Sequence, residues 1–184
     1  FWIWSRKEQQ WRNPDMSALS SPQAQLDKSI ALYNEARYEQ AIKELRKVTK
    51  RYDDSVQAPE ALYYTGLCWE ALGRGRKAFL VYESVVKSYP RSSRIGDILK
   101  RVYAMAEELA RQESGTFLGM SADDWREHPA IAMFTFVIDN APYSEEAQAS
   151  EYKLGMLYKE MGHNKEAIET FQDLIEKYAD SPWR

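Results

Sequence analysis

Residues 61–73 read Ala61-Leu62-Tyr63-Tyr64-Thr65-Gly66-Leu67-Cys68-Trp69-Glu70-Ala71-Leu72-Gly73, and beyond them stand Ala78, Tyr82 and the run Tyr89-Pro90-Arg91-Ser92. A tiny residue in the middle of an apolar helical pattern, a turn at glycine and then a second helical pattern describe two helices that cross closely. The spacing returns along the chain. Fourteen residues before Ser55, Ser92, Ser144 and Ser181 stand Ala41, Ala78, Ala130 and Ala167. Ten before the same serines are Leu45, Tyr82, Phe134 and Phe171, and seven before are Val48, Val85, Val137 and Leu174. Twenty-six before, three copies have Ser29, Gly66 and Gly155. A register that holds at so many positions predicts an all-α repeat solenoid of four helix pairs, an architecture that points to binding rather than chemistry.

The expected elements follow from this register. The first pair occupies about 22–55, with a turn at Asn34-Glu35-Ala36-Arg37 and a second helix over Tyr38–Arg51. The second occupies 56–92, with helices over Ala58–Leu72 and Arg76–Tyr89. Ser92 to Ser144 is 52 residues, against 37 for Ser55 to Ser92 and for Ser144 to Ser181, so the third repeat (93–144) carries 15 extra residues. They are expected as an excursion near 114–124 between helices at about Ser93–Glu113 and Trp125–Asn140. The fourth repeat spans 145–181, with helices at Glu146–Met161 and Lys165–Tyr178. Residues 1–21 differ in kind. Phe1-Trp2-Ile3-Trp4, a polar turn and Gln10-Trp11 read as a short β-hairpin followed by a linker. Trp2 and Trp4 are too apolar to leave in water and are expected to dock on a partner or on the first repeat.

Packing explains the residue types. Gly66 and Gly155 let the helices of a pair approach, the alanine of the second helix is expected to face that glycine, and the aromatic beyond it to fill the space toward the next pair.

Composition narrows the function classes. A net charge of −3 without clustered Lys and Arg gives no nucleic-acid footprint. No apolar stretch approaches the ~20 residues of a membrane span. The single cysteine, Cys68, cannot form an internal disulfide and reads as a small buried hydrophobe. His128 and His163 read as solvated turn residues, and Asp53-Asp54 and Asp123-Asp124 as helix-end and cap residues. Gly73-Arg74-Gly75-Arg76 is a turn that lacks the Lys-Ser/Thr ending of a phosphate loop. These readings leave no catalytic residue, no metal site and no cofactor in expectation.

Residues 61–73 with Ala78, Tyr82 and Pro90, and Lys153-Leu154-Gly155-Met156-Leu157-Tyr158 with Gly162, Ala167 and Phe171, resemble the tetratricopeptide repeat. The 37-residue spacing, the Tyr-Pro-x-Ser-like turns and the long third repeat containing Phe117-Leu118-Gly119-Met120 are similar to the BamD (YfiO) family of outer-membrane assembly lipoproteins over about 22–182. That resemblance implies a periplasmic, outer-membrane-associated scaffold whose partners are components of the β-barrel assembly machine or unfolded outer-membrane proteins. The family's lipidated N-terminal cysteine has no counterpart here, so association with a membrane is expected only through a partner or an anchor outside this sequence. The family's fifth repeat has no counterpart either.

In tetratricopeptide arrays the first helix of each pair lines an inner groove. Transferred to this chain, that pattern selects Ile30, Tyr33 and Asn34; Tyr63, Leu67 and Glu70; Lys100, Ala104 and Glu107; and Tyr152, Met156 and Lys159. Tyr63, Leu67, Tyr152 and Met156 are expected to form an apolar floor, with Glu70, Lys100 and Lys159 orienting a bound segment. Phe117 and Leu118 of the insertion, and Trp2 and Trp4, are further candidate contacts. The alternatives are a periplasmic coordinator or accessory subunit of another envelope complex and, from a different class, an enzyme-regulatory domain.

Overall fold

The computed structural model describes residues 3–5, 10–12, 21–113 and 128–178. Two short strands, β1 (Ile3–Ser5) and β2 (Gln10–Arg12), pair antiparallel with Trp4 opposite Trp11. Eight helices follow among the described residues: α1 (Pro22–Asn34), α2 (Tyr38–Arg51), α3 (Ala58–Ala71), α4 (Gly75–Ser88), α5 (Ile95–Glu113), α6 (Pro129–Asn140), α7 (Glu145–Glu160) and α8 (Asn164–Lys177). The chain divides into two compact units, Phe1–Arg94 and Ile95–Arg184. In each, successive helices pack antiparallel as pairs, and the second helix of the first pair packs on the first helix of the next: α2 on α3, and α6 on α7.

The helix ends show why the sequence breaks where it does. Ser21 and Ser144 cap α1 and α7, their hydroxyls accepting from the Ala24 and Ala147 amides. Pro22 and Pro129 open α1 and α6, where a missing amide hydrogen costs nothing. Three pairs turn on the same closing bond, from the amides of Arg37, Arg74 and His163 to the carbonyls of Leu32, Trp69 and Tyr158. That turn needs a left-handed residue. Gly73 (φ 67°) and Gly162 (φ 81°) supply it freely, whereas Ala36 (φ 57°) holds it at a cost of about 1 kcal/mol.

The recurring alanines Ala41, Ala78, Ala130 and Ala167 are all buried, as are Leu45, Tyr82, Phe134, Val48, Val85, Val137 and Leu174. The glycine partners differ from expectation. A Cβ on Gly66 would lie 2.2 Å from the Tyr82 ring, and one on Gly155 would lie 2.7 Å from the Phe171 ring. The aromatic therefore fills the crossing inside its own pair. The first pair solves the same crossing with Ser29 and Leu45, both buried. In the third pair Tyr103 takes the glycine's register, and its ring lies 6.1 Å from that of Phe134.

A tyrosine closes each second pair onto the pair before it. The Tyr89 hydroxyl donates to the Asp53 carbonyl at 2.9 Å, and the Tyr178 hydroxyl donates to the Pro142 carbonyl 36 residues earlier. Burial, then the nearby Glu151, push the Tyr178 phenol up to about 12.

Polar groups inside the fold are held by specific partners. Glu44 of α2 accepts from Gln25 (2.8 Å), Lys28 (2.9 Å) and Lys47 (2.7 Å), which ties it to α1. Burial would raise its pKa, but the three donors outweigh that and hold the carboxyl at about 2. A depressed folded value means the contribution is present above about pH 4.5 and is lost as pH falls toward 2. Allowing for partial solvent contact, it amounts to on the order of 1–2 kcal/mol. Glu44→Gln is expected to flatten the acid limb of stability in urea titrations between those limits. A parent-like acid limb in the variant contradicts the role given to this carboxylate.

Cys68 is fully buried, and desolvation followed by the charge of Glu39 raises its thiol to about 11. His128 departs from expectation. It is buried rather than solvated, and its Nδ1 accepts from the Ala130 amide at 3.2 Å, so the imidazole caps α6.

Candidate protein-binding groove

The candidate groove lies wholly in the second unit. The first helices of its two pairs, α5 and α7, lie side by side. Between their C-terminal halves is a groove of about 600 Å³ whose walls include Ala104, Glu107 and Arg111 of α5 and Tyr152, Met156 and Glu160 of α7. Its room comes from sequence. Ala104 and Ala110 give α5 little bulk there, and Phe134 of α6 reaches its base. Ion pairs clip the two helices beside it, Lys153–Glu107 at 2.8 Å and Lys100–Glu146 at 3.9 Å. Burial, then a hydrogen bond with Glu107, push the Tyr103 phenol up to about 12.

The groove combines a soft apolar floor with charged walls. Tyr152 and Met156 are half-buried, and the Tyr152 ring lies 6.0 Å from that of Phe171. Arg111 pairs with Glu108, Lys153 with Glu107, and Glu160 adds a further carboxylate, so the walls carry more negative than positive charge. A volume in this range fits a few side chains of an extended segment.

Of the residues expected to line an inner face, Ala104, Glu107, Tyr152 and Met156 come together here. Lys100 and Lys159 are exposed and do not line the cavity. Sequence reasoning missed Arg111, Lys153 and Glu160, which carry no repeat signal; their convergence depends on how α5 crosses α7.

The first unit places its candidates differently. Tyr63 and Leu67 are core residues, 5% and 7% exposed, which corrects their reading as part of an open apolar floor. Tyr63 sits beneath the Arg94 guanidinium at 4.7 Å, and Arg94 is held by both oxygens of Glu60. Tyr33 packs between Tyr38 (5.7 Å) and Tyr64 (5.5 Å, edge on). Glu70 accepts from the Tyr82 hydroxyl. These rings and carboxylates are occupied in holding the unit's own helices together. Trp4 is half-exposed. Trp2, Phe117, Leu118 and the excursion near 114–124 lie outside the described residues.

Among the described residues, no group of three or more His, Cys, Asp or Glu is placed to hold a metal ion, and no helix is long and apolar enough to cross a membrane.

Comparison with known proteins agrees with the geometry. Family models of the tetratricopeptide repeat match residues 26–93 and 149–181. Similar solved structures include MamA from AMB-1, at 16% identity over 87% of this chain and 74% of that one (TM-score 0.40). Others are a putative kinesin light chain from Podosopora anserina with nearly identical tetratricopeptide-like repeats (16%, 89% and 79%, TM-score 0.42) and MamA from Desulfovibrio magneticus RS-1 (19%, 90% and 99%, TM-score 0.37). No curated protein matches the chain.

Proposed function

We propose, for a chain that belongs to the tetratricopeptide-repeat proteins, that it is a non-catalytic scaffold whose α5–α7 groove holds a segment of a partner protein. The observation that carries this reading is the groove itself, with an adaptable tyrosine–methionine floor and ion-paired walls between two first helices. Methionine and tyrosine give contact area without demanding one shape, which suits segments of varied sequence. The excess of carboxylates favours a segment with apolar side chains and a Lys or Arg among them.

Within that class the reading is a periplasmic adaptor in outer-membrane β-barrel protein assembly. What supports it is the resemblance of the Tyr89-Pro90-Arg91-Ser92 type of turn, the 37-residue spacing and the long third repeat to the BamD family.

Titration with a fluorescent peptide from the C-terminus of an outer-membrane protein, and with its scrambled control, tests both levels. Tyr152→Ala is expected to weaken binding by about 2 kcal/mol, roughly thirtyfold, while Lys159→Ala, outside the groove, has little effect. Helical circular dichroism checks that both variants stay folded. If folded Tyr152→Ala and Met156→Lys variants bind every peptide as tightly as the parent, the groove is not the working surface. Equal affinity for the natural and scrambled peptides instead removes the outer-membrane reading while leaving the groove.

A further inference from the structure

Each unit closes the seam between its two first helices with a different chemistry. At the same register positions, Tyr33 of α1 meets Tyr64 of α3 in the first unit, ring centroids 5.5 Å apart and edge on, and Glu107 of α5 meets Lys153 of α7 in the second at 2.8 Å. Ile30, packed on the core of the first unit, likewise corresponds to Ala104 in the wall of the groove. The rings join apolar surface that has nothing to gain from a charged ligand. The ion pair joins side chains that are 40% and 37% exposed, where water competes for both charges and the pair is weak. Both of its members also line the groove.

The two charges are not held alike. The Tyr103 phenol, one turn earlier on α5, also hydrogen-bonds with Glu107, so the carboxylate keeps a partner when the lysine leaves. Lys153 reaches the same carboxylate from the other helix on a long flexible stem and is free to swing into water. With Lys153 swung out, Glu107, Glu108 and Glu160 line the groove and Arg111 is the cation that remains there.

We infer that Lys153 is an internal stand-in for a cation of the partner. On binding, a Lys or Arg of the partner segment takes its place on Glu107, while a neighbouring apolar side chain rests on Tyr152 and Met156. This rests on the reading of the groove as the binding surface and adds a rule of selection. A cationic segment competes with Lys153 and exchanges one ion pair for another. A neutral segment leaves the internal pair as it is and gains nothing from Glu107. An acidic segment meets the carboxylates. Lys153 is thus a specificity-determining residue that holds down the affinity for the very segments the groove prefers.

Fluorescence anisotropy with short labelled peptides, Tyr and Leu flanking a central Lys, norleucine or Glu, reads the exchange. The parent is expected to bind the Lys peptide modestly tighter than the norleucine peptide and the Glu peptide most weakly. Lys153→Met is expected to tighten the Lys peptide about fivefold and to leave the norleucine peptide nearly unchanged, since no internal pair is then given up. Lys153→Gln, polar and shorter, is expected to do the same, which separates loss of the charge from a methionine filling the groove. Glu107→Gln is expected to erase the lead of the Lys peptide. Helical circular dichroism checks that each variant is folded. If Lys153 were only a clip between α5 and α7, its loss would weaken all three peptides alike; that result, or an unchanged lead of the Lys peptide in both Lys153 variants, overturns the exchange. Where Tyr152→Ala still weakens binding, the exchange alone falls. Where Tyr152→Ala leaves every affinity unchanged, or none of the peptides binds the parent, the groove reading falls with it.

Discussion

Gly66→Ala is expected to destabilise the first unit by about 3 kcal/mol, at the upper end of overpacking effects. Glycine in a helix interior costs about 1 kcal/mol relative to alanine, so propensity alone predicts a gain. Space decides the sign. The new methyl would sit 2.2 Å from a Tyr82 ring that is fully buried and bonded through its hydroxyl to Glu70. Gly155→Ala is expected to cost less, about 1–2 kcal/mol. Its clash distance is longer, 2.7 Å, and the Phe171 ring is partly exposed and free to give. The first pair indicates the rescue, since it carries Ser29 and Leu45 at the corresponding positions. Gly66→Ser combined with Tyr82→Leu is expected to be more stable than Gly66→Ser alone. Urea unfolding of the four variants measures this, and a Gly66→Ala protein as stable as the parent would show that the ring is not seated on the glycine.

Lys177→Met carries the second large effect, a loss of about 2 kcal/mol, less than for a fully buried pair because the lysine is half-exposed. Glu151 of α7 is 3% exposed and accepts from the Lys177 ammonium at 2.9 Å, and the Tyr178 phenol lies beside the same carboxylate. That bond, and the nearby negative charges of Asp173 and Asp139, raise the Lys177 pKa. Removing the lysine leaves a carboxylate with little water and no counter-charge. Glu151→Leu is expected to remain within about 1 kcal/mol of the parent, because a hydrophobic side chain of similar size removes the charge with its need. The register mates Leu62 and Leu99 show that leucine is accepted at this place in the repeat. Chemical unfolding of the single and double variants separates the cases; a Lys177→Met protein as stable as the parent removes the ion pair from the account.

The helix pairs were legible because their signals are local. Tyr38–Arg51 was placed to the residue, and the other helices described in full to within a few residues, from apolar periodicity, turn glycines and prolines. What the sequence did not disclose depends on how helices cross. Gly66 announced a close approach, but only the crossing shows that the Tyr82 ring is seated on it. Tyr63 and Leu67 sit on a first helix like Tyr152 and Met156, yet Arg94, reaching back to Glu60 and lying over the ring, closes the space above Tyr63. His128 looked like an ordinary turn residue before proline; it is buried, and its imidazole caps α6. The α5–α7 groove was half legible: the repeat register located its floor, but not the charges that meet across it.

The tyrosine closures have a mechanical consequence. The bonds from Tyr89 to Asp53 and from Tyr178 to Pro142 each tie the end of one helix pair to the end of the pair before it. Under a pull along the chain, peeling a second pair away also breaks its phenol–carbonyl bond, which adds about 1 kcal/mol to the packing between the pairs. Each unit is therefore expected to give up its second pair in one step, the phenol releasing together with the packed helices.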